Sequence, residues 1–217
     1  SRGWIVCSRR GYSDTLSTSD TSLDGRTVTM RRICCCLAIL TVAFPLLAGE
    51  PKPVAIFDGK SLEGWKTADK NAYEKPGKVI VKDGAIVMSQ GAIATGIVYA
   101  KDDFPTTNYE LSLEARRTKG SDFFCGMTFP IGKEYCTLIC GGWGGGTVGL
   151  SNVDGFNAEE NETTNYVEFK NKQWYKIRLR VTDMKVEVWI DKEKLIDLDR
   201  KEKKFDIWWE QEPLRPF

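Results

Sequence analysis

GSDFFCGMTFPIGKEYCTLICGGWGGGTVGLSNVDG, residues 120–155, is the stretch whose reading decides the fold. It reads as three consecutive strands with two tight connections. Residues 122–129 are a short apolar run, and Pro130-Ile131-Gly132-Lys133 is a turn in which Gly132 supplies a backbone angle that other residues resist. Residues 134–140 return as a second strand. GGWGGG, residues 141–146, makes a bend, and residues 147–153 resume the extended chain. The pattern is a β-meander with one aromatic, Trp143, in a glycine-rich corner. Such glycines let a curved sheet bend. They also remove side chains, so that Trp143 stands clear and a ligand can approach the backbone. On that sharper reading the meander is a wall of a sugar-binding cleft.

The same period-two pattern extends in both directions. Residues 54–57 read as a short strand ended by Asp58-Gly59. Residues 78–82 and 85–89 flank Asp83-Gly84, a strong hairpin signal. Residues 93–100 are β-rich. In residues 109–116, Tyr109, Leu111, Leu113 and Ala115 take the core side while Glu110, Ser112, Glu114 and Arg116 face out. Beyond the meander, residues 154–164 form a polar loop, DGFNAEENETT, and residues 166–169 a short strand. Residues 174–181 and 185–190 alternate around an Asp183-Met184 turn, and residues 195–198 follow a second turn at 191–194. No segment sustains a 3.6-residue period over three turns. Many short strands at regular spacing indicate an all-β sandwich or barrel.

Composition excludes whole classes of function. Lys+Arg number 31 against 30 Asp+Glu, for a net charge of +1, so the basic excess of a nucleic-acid or membrane-surface protein is missing. There is no histidine. Ser-His-Asp and Cys-His machinery and histidine metal sites are therefore excluded, and acid–base work falls to carboxylates, Lys, Tyr or Cys. No nucleotide-binding loop, zinc spacing or internal repeat occurs. Clustered Asp and Glu are the kind of residue that holds Ca²⁺, but no spacing demands it, and no cofactor is expected.

The N-terminal segment reads as an export signal with extra residues ahead of it. Met30-Arg31-Arg32 is basic, residues 33–47 are apolar apart from Thr41 and Pro45, and Ala48-Gly49 offers small residues for cleavage. The apolar run falls short of the ~20 residues of a spanning helix. An exported protein, periplasmic or extracellular, is expected, with no stable membrane insertion once residues 30–49 are removed; an uncleaved anchor is the rival. Residues 1–29 are rich in Ser, Thr, Arg and Gly and are expected to be disordered. Residues 50–217 then form one domain. Of seven cysteines, Cys125, Cys136 and Cys140 lie beyond the leader. Cys136 and Cys140 share a strand face too far apart to bond, so a bridge would be a cross-strand pair using Cys125; the blander reading makes all three small core residues.

Four motifs in order carry a family resemblance. FDGKSLEGW (residues 57–65) resembles the opening of the 3-keto-disaccharide hydrolase domains. VKDGAIV (81–87) is similar to their early hairpin, and YELSLEAR (109–116) with Gly120-Ser121-Asp122 to the next strand and its turn. NKQWYKIRLRVTDMKVEVWIDKEKLID (171–197) resembles their penultimate region. The resemblance implies a concanavalin A-like lectin/glucanase jelly roll, a single-domain β-sandwich of two antiparallel sheets. It also implies a closing strand after a Gly-Ile-Ala-Thr-Trp-like segment; the sequence stops at Leu214-Arg215-Pro216-Phe217, so a C-terminally truncated domain is expected. The GGWGGG bend departs from the family, many of whose members carry an acidic strand there.

The implied chemistry is cleavage of glycosides already oxidised to a ketone at C3. The ketone acidifies the C2–H, a base removes that proton, the aglycone leaves from C1, and hydration of the enone completes net hydrolysis. Such a site needs a base, a donor or cation facing the enolate oxygen, and a proton source. The candidate acids are Asp122 at the start of the meander, Asp154 at its end and Glu162 in the following loop. Trp143 is placed to stack on a sugar ring, with Asn152, Arg178 and Arg180 as substrate-binding candidates. Each has a plainer reading: the acids as solvated turn residues, Trp143 as packing, the arginines as an exposed strand face. Trp174 and Trp189 read as core. The competing functions are a non-catalytic carbohydrate-binding module and an inactive remnant. The expected partner is a carbohydrate; the oligomeric state is not legible.

Overall fold

The computed structural model describes residues 5–8, 53–69 and 72–214. The chain divides into two units, one of Ser1–Arg10 with Ala55–Phe217 and one of Gly11–Val54. Of the second unit only Pro53 and Val54 are described, so the expected leader at 30–49 and most of the extension at 1–29 lie outside the described residues.

The first unit is an all-β jelly-roll sandwich. The strands are β1 (Ile5–Ser8), β2 (Trp65–Thr67), β3 (Val79–Lys82), β4 (Ala85–Met88), β5 (Ile97–Tyr99), β6 (Tyr109–Arg117), β7 (Cys125–Ile131), β8 (Glu134–Gly142), β9 (Thr147–Ser151), β10 (Asn165–Tyr166), β11 (Tyr175–Val181), β12 (Lys185–Ile190) and β13 (Glu193–Asp199). A 3₁₀ helix, Trp209–Leu214, follows. One sheet has the order β13-β12-β11-β6-β1-β4-β3, the second β10-β9-β8-β7, and β2 and β5 form a small ribbon.

Local chemistry explains the connections. Asp83 and Gly84 have φ of 52° and 76°, so the two-residue loop matches the twist of the β3–β4 hairpin. Strict alternation places Tyr109, Leu111 and Ala115 of β6, and Ile177, Leu179 and Val181 of β11, on the face that meets the second sheet. From that sheet come Phe129 and Ile131 of β7, Leu138 of β8 and Leu150 of β9, all buried. Each such side chain contributes roughly 1.5–3 kcal/mol relative to exposure. Thr137 and Ser151, on the outer face of β8 and β9, are also buried, because residues 152–164 and 205–211 lie over that face.

Several expectations need correction. Residues 54–57 form no strand; Ile56 instead accepts the Trp65 indole N–H at 3.0 Å, and Trp65 opens β2. The strand expected over 93–100 shrinks to β5, because residues 89–96 form a loop held by Thr95, which accepts from Gly77 N and donates to Ser89 O. The turn placed at 130–133 tightens to Gly132-Lys133, with Pro130 and Ile131 still in β7. Ile5–Ser8, within the extension expected to be disordered, pairs antiparallel with both β4 and β6.

Candidate active site

The FDGKSLEGW motif is a closed loop. Asp58 accepts hydrogen bonds from Ser61 N, Lys60 N and Ser61 Oγ, contacts that hold its carboxyl below the ordinary value. Trp65 then ties back to Ile56 and packs edge-on against Tyr99 at 5.3 Å. Trp65 also lines a cavity.

That cavity, about 200 Å³, is lined by residues of both sheets. Leu113 and Ala115 of β6 form one wall, and Cys125, Gly126, Met127 and Thr128 of β7 the other. Phe123, Trp208, Trp65, Met88 and most of the loop from Ser89 to Gly96 complete the lining. The polar and charged side chains among its lining residues are those of Ser89, Gln90, Thr95, Thr128, Glu210 and Gln211. Among the described residues lining it, Glu210 is the carboxylate. The buried Tyr73 hydroxyl donates to the Glu210 main-chain oxygen at 2.7 Å and fixes that segment. Burial, and then the Glu210 charge, push the Tyr73 hydroxyl above its ordinary range, so it stays a donor. Gly126 supports the same segment from below, since a Cβ there would stand 3.2 Å from the Gln211 side chain.

The GGWGGG bend shapes the aromatic end. Trp143 itself has φ of 43°, followed by 90° at Gly144 and 107° at Gly145. A Cβ on Gly145 would lie 2.3 Å from Ser121 O, so this corner must be glycine to nest against residues 121–122. Trp143 does not stand clear. It lies 5.4 Å from the Phe123 ring and 5.3 Å from Trp208, which in turn approaches Trp209 at 6.1 Å. Trp143 therefore backs the two rings that line the cavity.

The seven residues proposed from sequence fall into three places. Asp122 and Trp143 lie at the aromatic end. Asp122 Oδ1 accepts from the next residue's N–H, and its main-chain oxygen accepts from Arg117 at 2.7 Å. Asp154 and Glu162 do come together, because the Lys203 ammonium donates to Asp154 at 3.0 Å and also contacts Glu162. The Lys204 N–H and then Lys203 keep the Asp154 carboxyl below its ordinary value. Asn152 borders this cluster, its main chain exchanging hydrogen bonds with Asp206. Neither Asp154 nor Glu162 lines the cavity, and both are solvent-exposed. The three candidate acids therefore divide between two places.

Arg178 and Arg180 lie elsewhere again, on the face of the seven-stranded sheet turned away from the core. Their guanidinium carbons stand 3.8 and 5.3 Å from the Trp189 ring centre. Arg180 pairs with Glu187 at 2.7 Å and Arg178 with Glu110 at 3.5 Å. Trp189, expected in the core, is buried under these cations instead. The flat face a sugar would need is already covered. Trp174 carries Arg116 in the same way, at 4.7 Å.

Asn161 organises the polar loop. Its amide donates to Leu150 O, Phe156 O and Asn157 O, and its oxygen accepts from both Thr163 N and Thr163 Oγ1. Among the described residues no cluster of His, Cys, Asp or Glu is placed to hold a metal ion, and no helix is long and apolar enough to cross a membrane.

The features missed in the sequence are Trp65, Phe123, Arg117 and Glu210. Glu210 had a local signal in WWEQE, residues 208–212, where two rings adjoin acids. The family model described as 3-keto-alpha-glucoside-1,2-lyase-like domain matches residues 52–214. The chain belongs to this family. Comparisons with curated proteins and with solved structures return no match. The 3-keto-glucoside lyase-like domain thus spans the sandwich from the Asp58 loop to the 3₁₀ helix, all but β1, and its members act on glycosides.

Proposed function

We infer that the protein cleaves 3-keto-glycosides by elimination and that the sugar binds in the Trp65–Phe123–Trp208 cavity, with Glu210 as the base. The observation that carries this reading is a carboxylate at the edge of an aromatic-walled cavity in a domain of this family. The Glu210 carboxylate takes the C2 proton. The C–H electron pair becomes the C1–C2 double bond, and the C1–O bond breaks with its pair going to the aglycone oxygen, which takes a proton. Water then adds to the enone. Aromatic faces suit the apolar C–H face of a pyranose, and the Gln90, Thr95 and Gln211 side chains supply hydrogen-bonding groups for its hydroxyls and ketone.

The test is release of aglycone from a 3-keto-glucoside beside its parent glucoside. Turnover confined to the keto form is expected; equal turnover of both would mean direct glycosidic hydrolysis, and turnover of neither by folded protein would leave a carbohydrate-binding module. Export through residues 30–49 belongs to the same proposal. Sequencing the N-terminus of protein recovered from the cell envelope or medium is expected to read from Glu50, and an intact N-terminus would contradict it.

A further inference from the structure

Three cysteines lie in the sandwich core, and two of them are partners. Cys125 of β7 and Cys140 of β8 are directly opposed in the antiparallel ladder and project to the same face. Opposed Cβ atoms in such a pair stand about 4.5–5.5 Å apart, at the edge of the ~3.5–4.5 Å spanned by a disulfide. Cys136 is not part of this pair. It sits opposite Phe129, four residues along the strand from Cys140, and its thiol points to Asn152 O at 3.7 Å.

The pair is also asymmetric. Cys125 is 7% exposed and lines the cavity, while Cys140 is fully buried behind it. A reagent entering the cavity reaches Cys125 first, and Cys140 is positioned to resolve whatever forms there.

We propose that Cys125 and Cys140 form a dithiol–disulfide site, closed by a small disulfide oxidant that enters through the cavity. The Cys125 thiolate attacks the oxidant's S–S bond, forming a mixed disulfide and releasing one thiol. The Cys140 thiolate then attacks the Cys125 sulfur, releasing the second thiol. The protein loses two protons and two electrons, and the oxidant is reduced to two thiols. The contact with Cys125, and then burial, hold the Cys140 thiol well above its ordinary range, so the second step is slow. Once closed, the bridge pins β7 to β8 beside the cavity wall formed by Gly126 and Met127.

The experiment treats the full chain with excess oxidised glutathione, alkylates the remaining thiols and maps tryptic peptides by mass spectrometry. The expected product joins the peptide of residues 120–133 to that of residues 134–170, with fragmentation placing the bond between Cys125 and Cys140. Dithiothreitol should remove it, and Cys136→Ser should leave it intact. Closing it should raise the unfolding midpoint by roughly 5 °C. A bond from Cys125 to any other cysteine, glutathione left on Cys125 without a bridge, or two free thiols after treatment of folded protein would each overturn the proposal.

Discussion

The Lys203 ammonium donates to Asp154 Oδ2 at 3.0 Å and joins that carboxylate to Glu162. The Asp154 carboxylate also accepts from Lys204 N at 2.9 Å, closing the turn that brings residues 203–206 beside Asn152. A carboxylate so placed is a loop fastener, and its lowered proton affinity makes it a weak base. Asp154→Asn is expected to leave kcat on a 3-keto-glucoside within a few-fold of the parent and to lower the unfolding midpoint slightly. A steady-state assay alongside thermal unfolding checks both.

Arg117 fastens the other end of the site. Its side chain is 5% exposed and donates to Asp122 O, Phe169 O and Asn171 Oδ1. Removing it takes the donor from the buried Phe169 O and from two part-buried acceptors, Asp122 O and Asn171 Oδ1. Arg117→Met is expected to cost about 2–4 kcal/mol in denaturant unfolding, with Arg117→Lys intermediate because an ammonium lacks the planar fork. A loss below about 0.5 kcal/mol for the Met variant would mean that water replaces the guanidinium fully.

Acid should loosen the outer face of the seven-stranded sheet. Burial pushes the Glu187 carboxyl up, but Lys194 at 2.5 Å and Arg180 at 2.7 Å outweigh it and bring the group below its ordinary 4.5. A carboxyl lowered by folding stabilises fully above its unfolded value and loses that contribution as pH falls through the folded one. The unfolding midpoint is therefore expected to fall as pH drops below about 4.5. Glu187→Gln should flatten that part of the profile, and an unchanged slope would assign acid sensitivity to other carboxylates.

Ile5–Ser8 sits between β4 and β6 and pairs with both. A chain starting at Glu50 leaves the facing main-chain groups of two strands to water. Its unfolding midpoint is expected below that of the full chain; equal midpoints would show that the inserted strand contributes nothing.

How much of this was legible depended on whether the signal was local. The Asp83-Gly84 hairpin and the alternation of residues 109–116 and 174–181 translate directly into β3–β4, β6 and β11, because turn chemistry and one-sided burial act within a few residues. Family motifs spaced along the chain pointed to the sandwich as a whole. Residues 54–57 misled because an apolar run can anchor a loop through its carbonyl as well as build a strand. The site was harder. Arg178 and Arg180 alternate correctly, yet what lies above them is Trp189 from the neighbouring strand, a cross-strand fact. Glu210 lines the cavity where Tyr73, far away in sequence, bonds its main chain. Cys125 opposite Cys140 required the register to be fixed by the Gly132 turn.

The most direct measurement is kcat of the full chain and of Glu210→Gln on a 3-keto-glucoside carrying a good leaving group, with the parent glucoside as control. Turnover of the keto sugar alone, falling about 10²–10⁴-fold in Glu210→Gln while the variant remains folded, is the expected result. An unchanged kcat in Glu210→Gln, or equal cleavage of the parent glucoside, would contradict proton abstraction by Glu210 in this cavity.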